Sequence, residues 1–216
     1  MHVLDQTDSI ANHFLAQLRD KEIQGDRMRF RKNLERLGEL MAYEVSKTLD
    51  FHEVTVETPL GIKHVNMLVD NPVLISVLRA ALPFYQGFLN FFDAAESGFV
   101  GAYRREESES GADVEVEYLY QAAPDLTNRP VILIDPMLAS GKSFSMTVEN
   151  LLRKHRPKSL HLCCLIAAPE GIEYLKKSVA FPYQLWVGSV DEKLNEKAYI
   201  VPGLGDAGDL SYGPKL

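Results

Sequence analysis

The sequence is poor in the residues that stabilise small secreted proteins or form membrane spans. Its 216 residues include two cysteines, Cys163 and Cys164, so a framework of several disulfides is excluded. The two are adjacent in a strand-like run, where side chains alternate between faces, and both are expected in the core. The sequence also lacks a run of about 18 apolar residues and a basic, then apolar, N-terminal segment. We therefore expect no membrane association and a cytoplasmic location.

Basic residues are fewer than acidic ones, with 23 lysines and arginines against 30 aspartates and glutamates. A formal net charge of -7 is not typical of a protein that binds nucleic acid or a membrane surface, so neither partner is expected, although a local basic pocket for a small anion is compatible with it. The apolar fraction of 46% is enough for one domain with its own core. We predict a single domain over residues 1–216, with a helical segment at 1–50 and an α/β core with a C-terminal binding segment at 51–216.

Hydrophobic spacing predicts alternating helices and strands after the helical N-terminal segment. Amphipathic helices are predicted at 9–18, 26–49, 83–92, 143–153 and 169–177. Continuous apolar runs predict strands buried on both faces at 73–78, 99–103, 131–134 and 160–167. This order favours a mostly parallel sheet with helices on both faces. The polar run at 104–112 is predicted to be an exposed, mobile hairpin loop.

A Gly-Lys-Ser turn follows one predicted strand, within VILIDPMLASGKSFS at 131–145. A Walker A loop, as in a nucleotide-phosphate kinase, needs a further glycine five positions before the first residue of Gly-Lys-Ser. Pro136 occupies that position. Since proline has no backbone N–H and a fixed φ, the kinase alternative is disfavoured.

What remains is a strand that ends at Asp135 and a turn that opens a helix near Ser143. Backbone N–H groups converge at such a helix start, where the helix dipole also favours an anion, and this suits a phosphate monoester. Asp135 is placed to accept hydrogen bonds from the hydroxyls of a ribose. The alternative is an ordinary turn in which Ser140 caps the helix.

Two arginines extend the predicted site. Arg79 and Arg104 each follow a predicted buried strand directly, so their guanidinium groups are expected at the same sheet edge as Asp135. Each alone is typical of a surface arginine. Together with the phosphate turn they indicate a ligand with anionic groups at two ends.

The C-terminal segment YIVPGLGDAGDLSYG, residues 199–213, has glycine at four positions. This composition predicts a loop rather than a helix, with exposed amides that can hydrogen-bond the edge of a planar heterocycle. Tyr199, Ile200, Val201 and Leu204 are expected to anchor it. A frayed terminus is the alternative.

Five motifs resemble the uracil phosphoribosyltransferases of the type I phosphoribosyltransferase fold, and the resemblance spans nearly the whole chain. They are LRAAL (78–82), GAYR (101–104), DPMLASGKS (135–143), AAPEGI (167–172) and LNEKAYIVPGLGDAGD (194–209). The resemblance implies a pentosyltransferase of pyrimidine salvage that converts uracil and 5-phosphoribosyl 1-pyrophosphate (PRPP) to UMP and pyrophosphate. It also implies Mg²⁺ held mainly through PRPP, and a homo-oligomer that is a dimer or larger. Some relatives are activated by GTP, so GTP is an expected effector.

The resemblance assigns site residues as well. The implied PRPP-binding residues are Arg79, Arg104, Asp135, Pro136, Met137, Leu138, Ala139, Ser140, Gly141, Lys142, Ser143 and Asp206. The implied uracil-binding residues are Tyr199, Ile200, Gly205, Asp206 and Ala207. Of these sets, Asp206 and Arg104 are implied as the catalytic residues.

Three positions depart from the family's usual pattern. Ala81 and Lys142 stand where glycine is usual, and Leu210 stands where a basic residue is common. Because alanine resists backbone conformations that glycine permits, Ala81 raises a second interpretation. In that alternative the chain is a non-catalytic regulatory protein that binds UMP or PRPP.

Overall fold

The structure is a computed structural model that describes residues 1–104 and 116–214. Its α-helices are α1 (Ile10–Arg19), α2 (Arg27–Ser46), α3 (Leu82–Phe91), α4 (Lys142–Lys154), α5 (Pro169–Ser178) and α6 (Ala207–Tyr212), with a 3-10 turn at Leu4–Gln6. Its strands are β1 (His2–Val3), β2 (Phe51–Thr58), β3 (Gly61–Leu68), β4 (Val73–Leu78), β5 (Ser97–Arg104), β6 (Val116–Ala122), β7 (Pro130–Ile134), β8 (Met137–Leu138), β9 (Ser159–Ala167), β10 (Gln184–Val190), β11 (Lys193–Leu194) and β12 (Ile200–Val201).

The central sheet is mostly parallel, as predicted. Its strand order is β1-β10-β9-β7-β4-β5-β6, with β8 paired to β9. Each neighbouring pair is parallel except β5 and β6, which are antiparallel. The carboxyl ends of β4, β7, β9 and β10 therefore meet at one edge of the sheet, where ligands of open α/β folds bind.

Helices cover the sheet on both faces, and strand alternation divides the core between them. Ile132 and Cys163 face the layer that contains α1, α2 and α3. Leu133 and Cys164 face the layer that contains α4 and α5. The two cysteines are free and buried on opposite faces, as predicted.

The first two helices begin where the sequence predicts, and each start is capped by a side chain. Ser9 caps α1 by accepting a hydrogen bond from the Ala11 N–H, and Asp26 caps α2 by accepting one from the Arg29 N–H. The predicted hairpin loop at 104–112 lies almost wholly outside the described residues. Within the ranges 1–104 and 116–214, no helix has the length and apolar character needed to cross a membrane.

Two features differ from the sequence prediction. The C-terminal segment was predicted as a loop throughout, which is wrong, because residues 207–212 form α6. The Asp206 carboxylate caps this helix by accepting a hydrogen bond from the Asp209 N–H, so a local side-chain bond offsets the low helix propensity of the glycine-rich sequence. The antiparallel hairpin of β2 and β3 was also not predicted in full, since its residues are mostly exposed on both faces.

Candidate active site

A cavity of about 220 Å³ opens at the carboxyl edge of the sheet. Three segments line it: the turn after β4, the loop between β7 and α4, and the segment from Ala198 to Gly208. The predicted site residues that line it are Arg79, Asp135, Met137, Ala139, Ser140, Gly141, Ser143, Tyr199, Ile200, Gly205, Asp206 and Ala207. Residues far apart in sequence are therefore brought together in one place.

The loop between β7 and α4 ends at the N-terminus of α4. Gly141 occupies the N-cap position with φ of 79°, and no side chain caps the helix. Ser140 Oγ lies 3.5 Å from the Lys142 nitrogen, which is at the limit of a hydrogen bond. No side chain caps the helix at Gly141 itself, and Gly141 and Ser143 line the cavity at a helix start, where the helix dipole favours an anion.

Helix α5 fixes this loop from behind. Gly171 in α5 packs directly on the loop backbone, so that an added Cβ would collide with the carbonyl oxygen of Ala139. A Cβ on Gly141 would in turn lie 2.8 Å from the carbonyl oxygen of Gly171. Two facing glycines thus allow a close approach that no larger residue permits. This contact explains why glycine occupies position 171 of the AAPEGI motif.

Asp135 lies at the end of β7, half-buried beside the cavity. Burial raises the pKa of its carboxyl to about 7, and a hydrogen bond from the Met137 N–H opposes part of this rise. The carboxyl thus sits in a site that disfavours its own charge until a donor-rich or cationic ligand arrives.

Arg79 follows β4 and reaches the C-terminal segment. Its Nη2 lies 3.3 Å from Asp209 Oδ1 in α6, and both side chains are partly exposed. Asp209 is not among the predicted site residues, although it lies in the same Gly-Asp-Ala-Gly-Asp run as Asp206. The peptide bond between Leu78 and Arg79 is cis. The backbone of Arg104 ends β5, next to β4, and its side chain lies outside the described part of the chain.

The third segment begins with a turn organised by Asn195. Its side-chain oxygen accepts hydrogen bonds from the N–H groups of Lys197 and Tyr199. Ile200 and Leu204 are buried, which confirms the predicted apolar anchoring, whereas Tyr199 is 38% exposed. Gly205 has φ of 95° and is exposed at the cavity.

A further contact holds this segment to the rest of the protein. Asp191, at the end of β10, accepts a hydrogen bond of 2.7 Å from the Gly203 N–H. Arg19, at the end of α1, pairs with both carboxylate oxygens of Asp191 and donates to the Gly203 carbonyl. Sequence analysis missed these residues, because each reads as an ordinary charged residue until the fold brings them together.

Among the predicted PRPP residues whose side chains the structure describes, three do not line the cavity. Leu138 is buried on the α4 side of the sheet, since β8 pairs with β9. Pro136 is buried as well, and its carbonyl accepts from the N–H groups of Leu165 and Ile166. Lys142 is the first residue of α4. The loop therefore buries Pro136 and Leu138, whereas Ala139, Ser140 and Gly141 line the cavity.

The sequence is similar to those of known uracil phosphoribosyltransferases. The sequence model of the uracil phosphoribosyltransferase family matches residues 6–214. A uracil phosphoribosyltransferase of Porphyromonas gingivalis is 45% identical over 208 residues, which cover 96% of this chain and 95% of the relative. One from Malacoplasma penetrans is 41% identical over 197 residues, which cover 91% and 93%.

Solved structures agree with this similarity. The AQ2163 protein of Aquifex aeolicus superposes with a TM-score of 0.86 at 33% identity, over 99% of this chain and 98% of that one. A hypoxanthine phosphoribosyltransferase of Staphylococcus aureus superposes with a TM-score of 0.51 at 14% identity, over 76% of each chain, and shows a shared fold alone. Together with the family match, these relatives show that the chain belongs to the uracil phosphoribosyltransferase family.

Proposed function

We propose that this protein is a uracil phosphoribosyltransferase, a pentosyltransferase that converts uracil and PRPP to UMP and pyrophosphate in pyrimidine salvage. The observation that carries the proposal is the convergence of three segments on one cavity: an uncapped helix start, an arginine with a nearby carboxyl, and a glycine-rich backbone segment. The helix start suits a phosphate, the arginine and carboxyl suit a pyrophosphate and a ribose, and the glycine-rich backbone suits a planar base. Family membership supports the same reaction.

The phosphate end of PRPP is assigned to the loop from Ala139 to Ser143, because this loop lines the cavity and leads into the N-terminus of α4. Asp135 is assigned to the ribose hydroxyls, which can donate to its carboxylate. Arg79 and Arg104 are assigned to the pyrophosphate, which guanidinium groups bind in pairs of hydrogen bonds. The position of Arg79 in the cavity lining supports its share of this role.

Uracil is assigned to the segment of Tyr199, Ile200 and Gly205 to Ala207. Backbone N–H groups can donate to the two carbonyl oxygens of the base, and a backbone carbonyl can accept from its N3–H. Gly205 supports this role because it lines the cavity and has no side chain between its backbone and a bound base. Its positive φ is a conformation that favours glycine.

The reaction needs positioning and charge neutralisation rather than a protein nucleophile. The bond from uracil N1 to ribose C1′ forms as the bond from C1′ to pyrophosphate breaks, through a transition state with oxocarbenium character. The electron pair of the broken bond leaves with pyrophosphate, and the N1 proton is released. Asp206 lies at the junction of the two binding regions, and its carboxylate is the group assigned to the reacting centre.

Mg²⁺ is proposed as the cofactor and would be held mainly by PRPP. Among residues 1–104 and 116–214, no three acidic, histidine or cysteine side chains gather as metal ligands. The carboxylates of Asp135 and Asp206 line the cavity and are the protein oxygens that fit an ion carried in by PRPP. Bound Mg²⁺ would supply charge neutralisation of the pyrophosphate.

The backbone conformation of Ala81 does not support the alternative of a non-catalytic regulatory protein. Ala81 has φ of -72° and ψ of -19°, which is the ordinary right-handed helical region, at the start of α3. Alanine adopts this conformation without strain, so its presence in place of glycine does not stiffen the turn in an unfavourable state. No feature of the described residues favours binding without turnover.

A homo-oligomer is proposed as the working form, and the β2–β3 hairpin supports it. These strands pair with each other apart from the central sheet, and an isolated two-stranded hairpin is marginally stable in water. One of its faces carries Val54 directly opposite Val65, with Val56 opposite Lys63 and Met67 opposite His52 on either side. A second copy of this chain covering that face would bury these four apolar side chains.

Three further expectations remain proposals. The chain is proposed to work as one domain, which the contacts of Arg19 with Asp191 and of Arg31 with the Ser211 carbonyl support. Activation by GTP rests on the resemblance and is tested by assaying turnover with and without GTP. A cytoplasmic location rests on the sequence.

Base selectivity tests the proposed function. Purified full-length chain with PRPP and Mg²⁺ is offered radiolabelled uracil, with cytosine, hypoxanthine and orotate as competing bases. We expect UMP as the product and little inhibition by the other three. Transfer to hypoxanthine or orotate in preference to uracil would contradict the assignment of the C-terminal segment to uracil.

A further inference from the structure

We propose that Arg19 and Asp191 are positioning residues for uracil, and that they act by clamping the turn at Gly203. The inference rests on the proposed function, because it assigns these residues a role at the uracil end of that site. Neither residue lines the cavity. Their effect would therefore pass through the backbone between the two uracil-binding stretches.

The ion pair engages both backbone polar groups of Gly203. Gly203 donates its N–H to Asp191 Oδ2 at 2.7 Å, and its carbonyl accepts from Arg19 Nη1 at 2.9 Å. Arg19 and Asp191 are themselves joined by two hydrogen bonds, Nη1 to Oδ2 at 2.8 Å and Nη2 to Oδ1 at 2.6 Å. Both backbone polar groups of Gly203 are thus held by one bidentate ion pair, which restricts the two peptide units on either side of its Cα.

The clamp is also shielded from water. The Asp191 side chain is 4% exposed and the Arg19 side chain is 23% exposed. Such a pair is screened little by solvent, and loss of one partner leaves the other charge buried without its counter-ion. The arrangement is therefore stiff compared with the exposed ion pairs elsewhere on the protein.

The clamped residue lies between the two parts of the uracil segment. Ile200 is three residues before Gly203, and Gly205 is two residues after it. Gly203 has φ of 59°, and a Cβ there would collide with the carbonyl oxygen of Ile200. A shift of Gly203 would therefore move Ile200 and Gly205 relative to each other, and with them the backbone groups assigned to the base.

The phosphate loop has a different support. Gly171 of α5 holds the loop at Ala139, and the clamp does not contact it. The clamp is thus expected to affect uracil and not PRPP. It also ties α1, in the N-terminal helical segment, to base recognition.

The kinetic test uses Arg19→Met, which removes the guanidinium group and keeps much of the apolar stem. We expect the KM for uracil to rise about 10-fold to 100-fold, as for small misplacements of binding groups, with the KM for PRPP nearly unchanged. Arg129→Met is the matched control, since Arg129 is similarly exposed and pairs with Glu96 outside the cavity lining. Equal rises in both KM values, or a fall in thermal stability with an unchanged KM for uracil, would overturn the proposal.

A second measurement does not depend on turnover. Amide hydrogen exchange of peptides covering 199–207 should be faster in Arg19→Met than in the wild type, while peptides covering 135–143 stay the same. Arg19→Lys, a milder change that keeps the charge but loses the bidentate geometry, serves if Arg19→Met does not fold. Unchanged exchange at 199–207 would overturn the clamp even if the wild type were inactive, whereas an inactive wild type with the expected exchange would contradict the proposed function alone.

Discussion

The Asp135 carboxyl shows how one residue can favour binding at the expense of stability. Burial raises its folded-state pKa to about 7, whereas its pKa in the unfolded chain is about 3.9. Between these values the folded protein binds more protons than the unfolded chain. The free energy of unfolding therefore falls as pH rises from about 4 to about 7, and the full cost is present above pH 7.

Asp135→Asn should accordingly be more stable than the wild type at pH 8, by about 1–3 kcal/mol after a discount for partial solvent access, and similar to it near pH 4. The amide oxygen can still accept from the Met137 N–H. The same variant should lose affinity for PRPP and UMP, because an amide replaces one acceptor oxygen by a donor. Urea unfolding at the two pH values measures the first effect.

Asp125→Asn is the control for this prediction. The pKa of the exposed Asp125 carboxyl is lowered by hydrogen bonds from Thr127 and by His155. Its removal should therefore destabilise the protein above about pH 4, in the opposite direction. A destabilised Asp135→Asn at pH 8 would contradict the raised pKa.

Gly171→Ala tests the support of the phosphate loop. The new methyl group would collide with the Ala139 carbonyl and displace the loop from α5. We expect the KM for PRPP to rise about tenfold or more, with a smaller effect on uracil. Gly25→Ala is the matched control, since nothing lies within 4 Å of a Cβ there. Equal kinetics for the two variants would show that the loop tolerates the displacement.

At the scale of elements, α2 and α3 pack through their backbones. Gly38 in α2 faces Gly87 in α3, and a Cβ on either would collide with backbone of the other helix. This close packing places α3, and the Arg79 turn that precedes it, against the N-terminal helical layer. Two glycines inside helical patterns are the sequence signal of such an approach.

Gly87→Ala should be destabilising although alanine is the better helix former. The gain in helix propensity is about 1 kcal/mol, and the forced separation of two packed helices costs about 1–3 kcal/mol or more. The net effect on the free energy of unfolding should therefore be a loss. Gln86→Ala, at the exposed neighbouring position in α3, should stay within about 0.5 kcal/mol of the wild type. Denaturant unfolding measures the free energy of unfolding of both variants. A stabilised Gly87→Ala would contradict the close packing of α2 on α3.

The elements that the sequence predicted well are those with strong periodic burial. The strand at 73–78 was predicted at the bounds that the structure shows, and α5 within one residue. The β2–β3 hairpin and α6 were harder, because the hairpin buries little on either face and α6 depends on a cap within a glycine-rich run. Periodic burial can be read from the local sequence, whereas a hairpin exposed on both faces and a short helix in a glycine-rich run lack such a period.

The candidate site divides in the same way. Arg79, Asp135 and the phosphate loop follow predicted strands, so the topology of a parallel sheet places them together. Asp209 as the partner of Arg79, and the contact of Gly171 with Ala139, were not predicted from spacing. Each joins segments more than 30 residues apart through geometry that only the folded chain defines.

At the scale of the whole molecule, the hairpin face of Val54, Val56, Val65 and Met67 is proposed to meet a second copy. Val54→Glu should weaken self-association, because it would bury a charge directly opposite Val65 in that interface. Thr55→Glu, one residue away on the opposite face of β2, should leave it unchanged. Sedimentation of the two variants at several concentrations measures the difference. Equal association in both, or a monomeric wild type, would exclude this face as the interface.

The central claim is that the chain transfers a phosphoribosyl group to uracil. Its most direct test is to incubate the purified protein with uracil, PRPP and Mg²⁺ and to quantify UMP and pyrophosphate together. The account predicts equal molar amounts of both products, and no UMP when PRPP is omitted. Saturable binding of UMP without any product, or release of pyrophosphate without UMP, would contradict it.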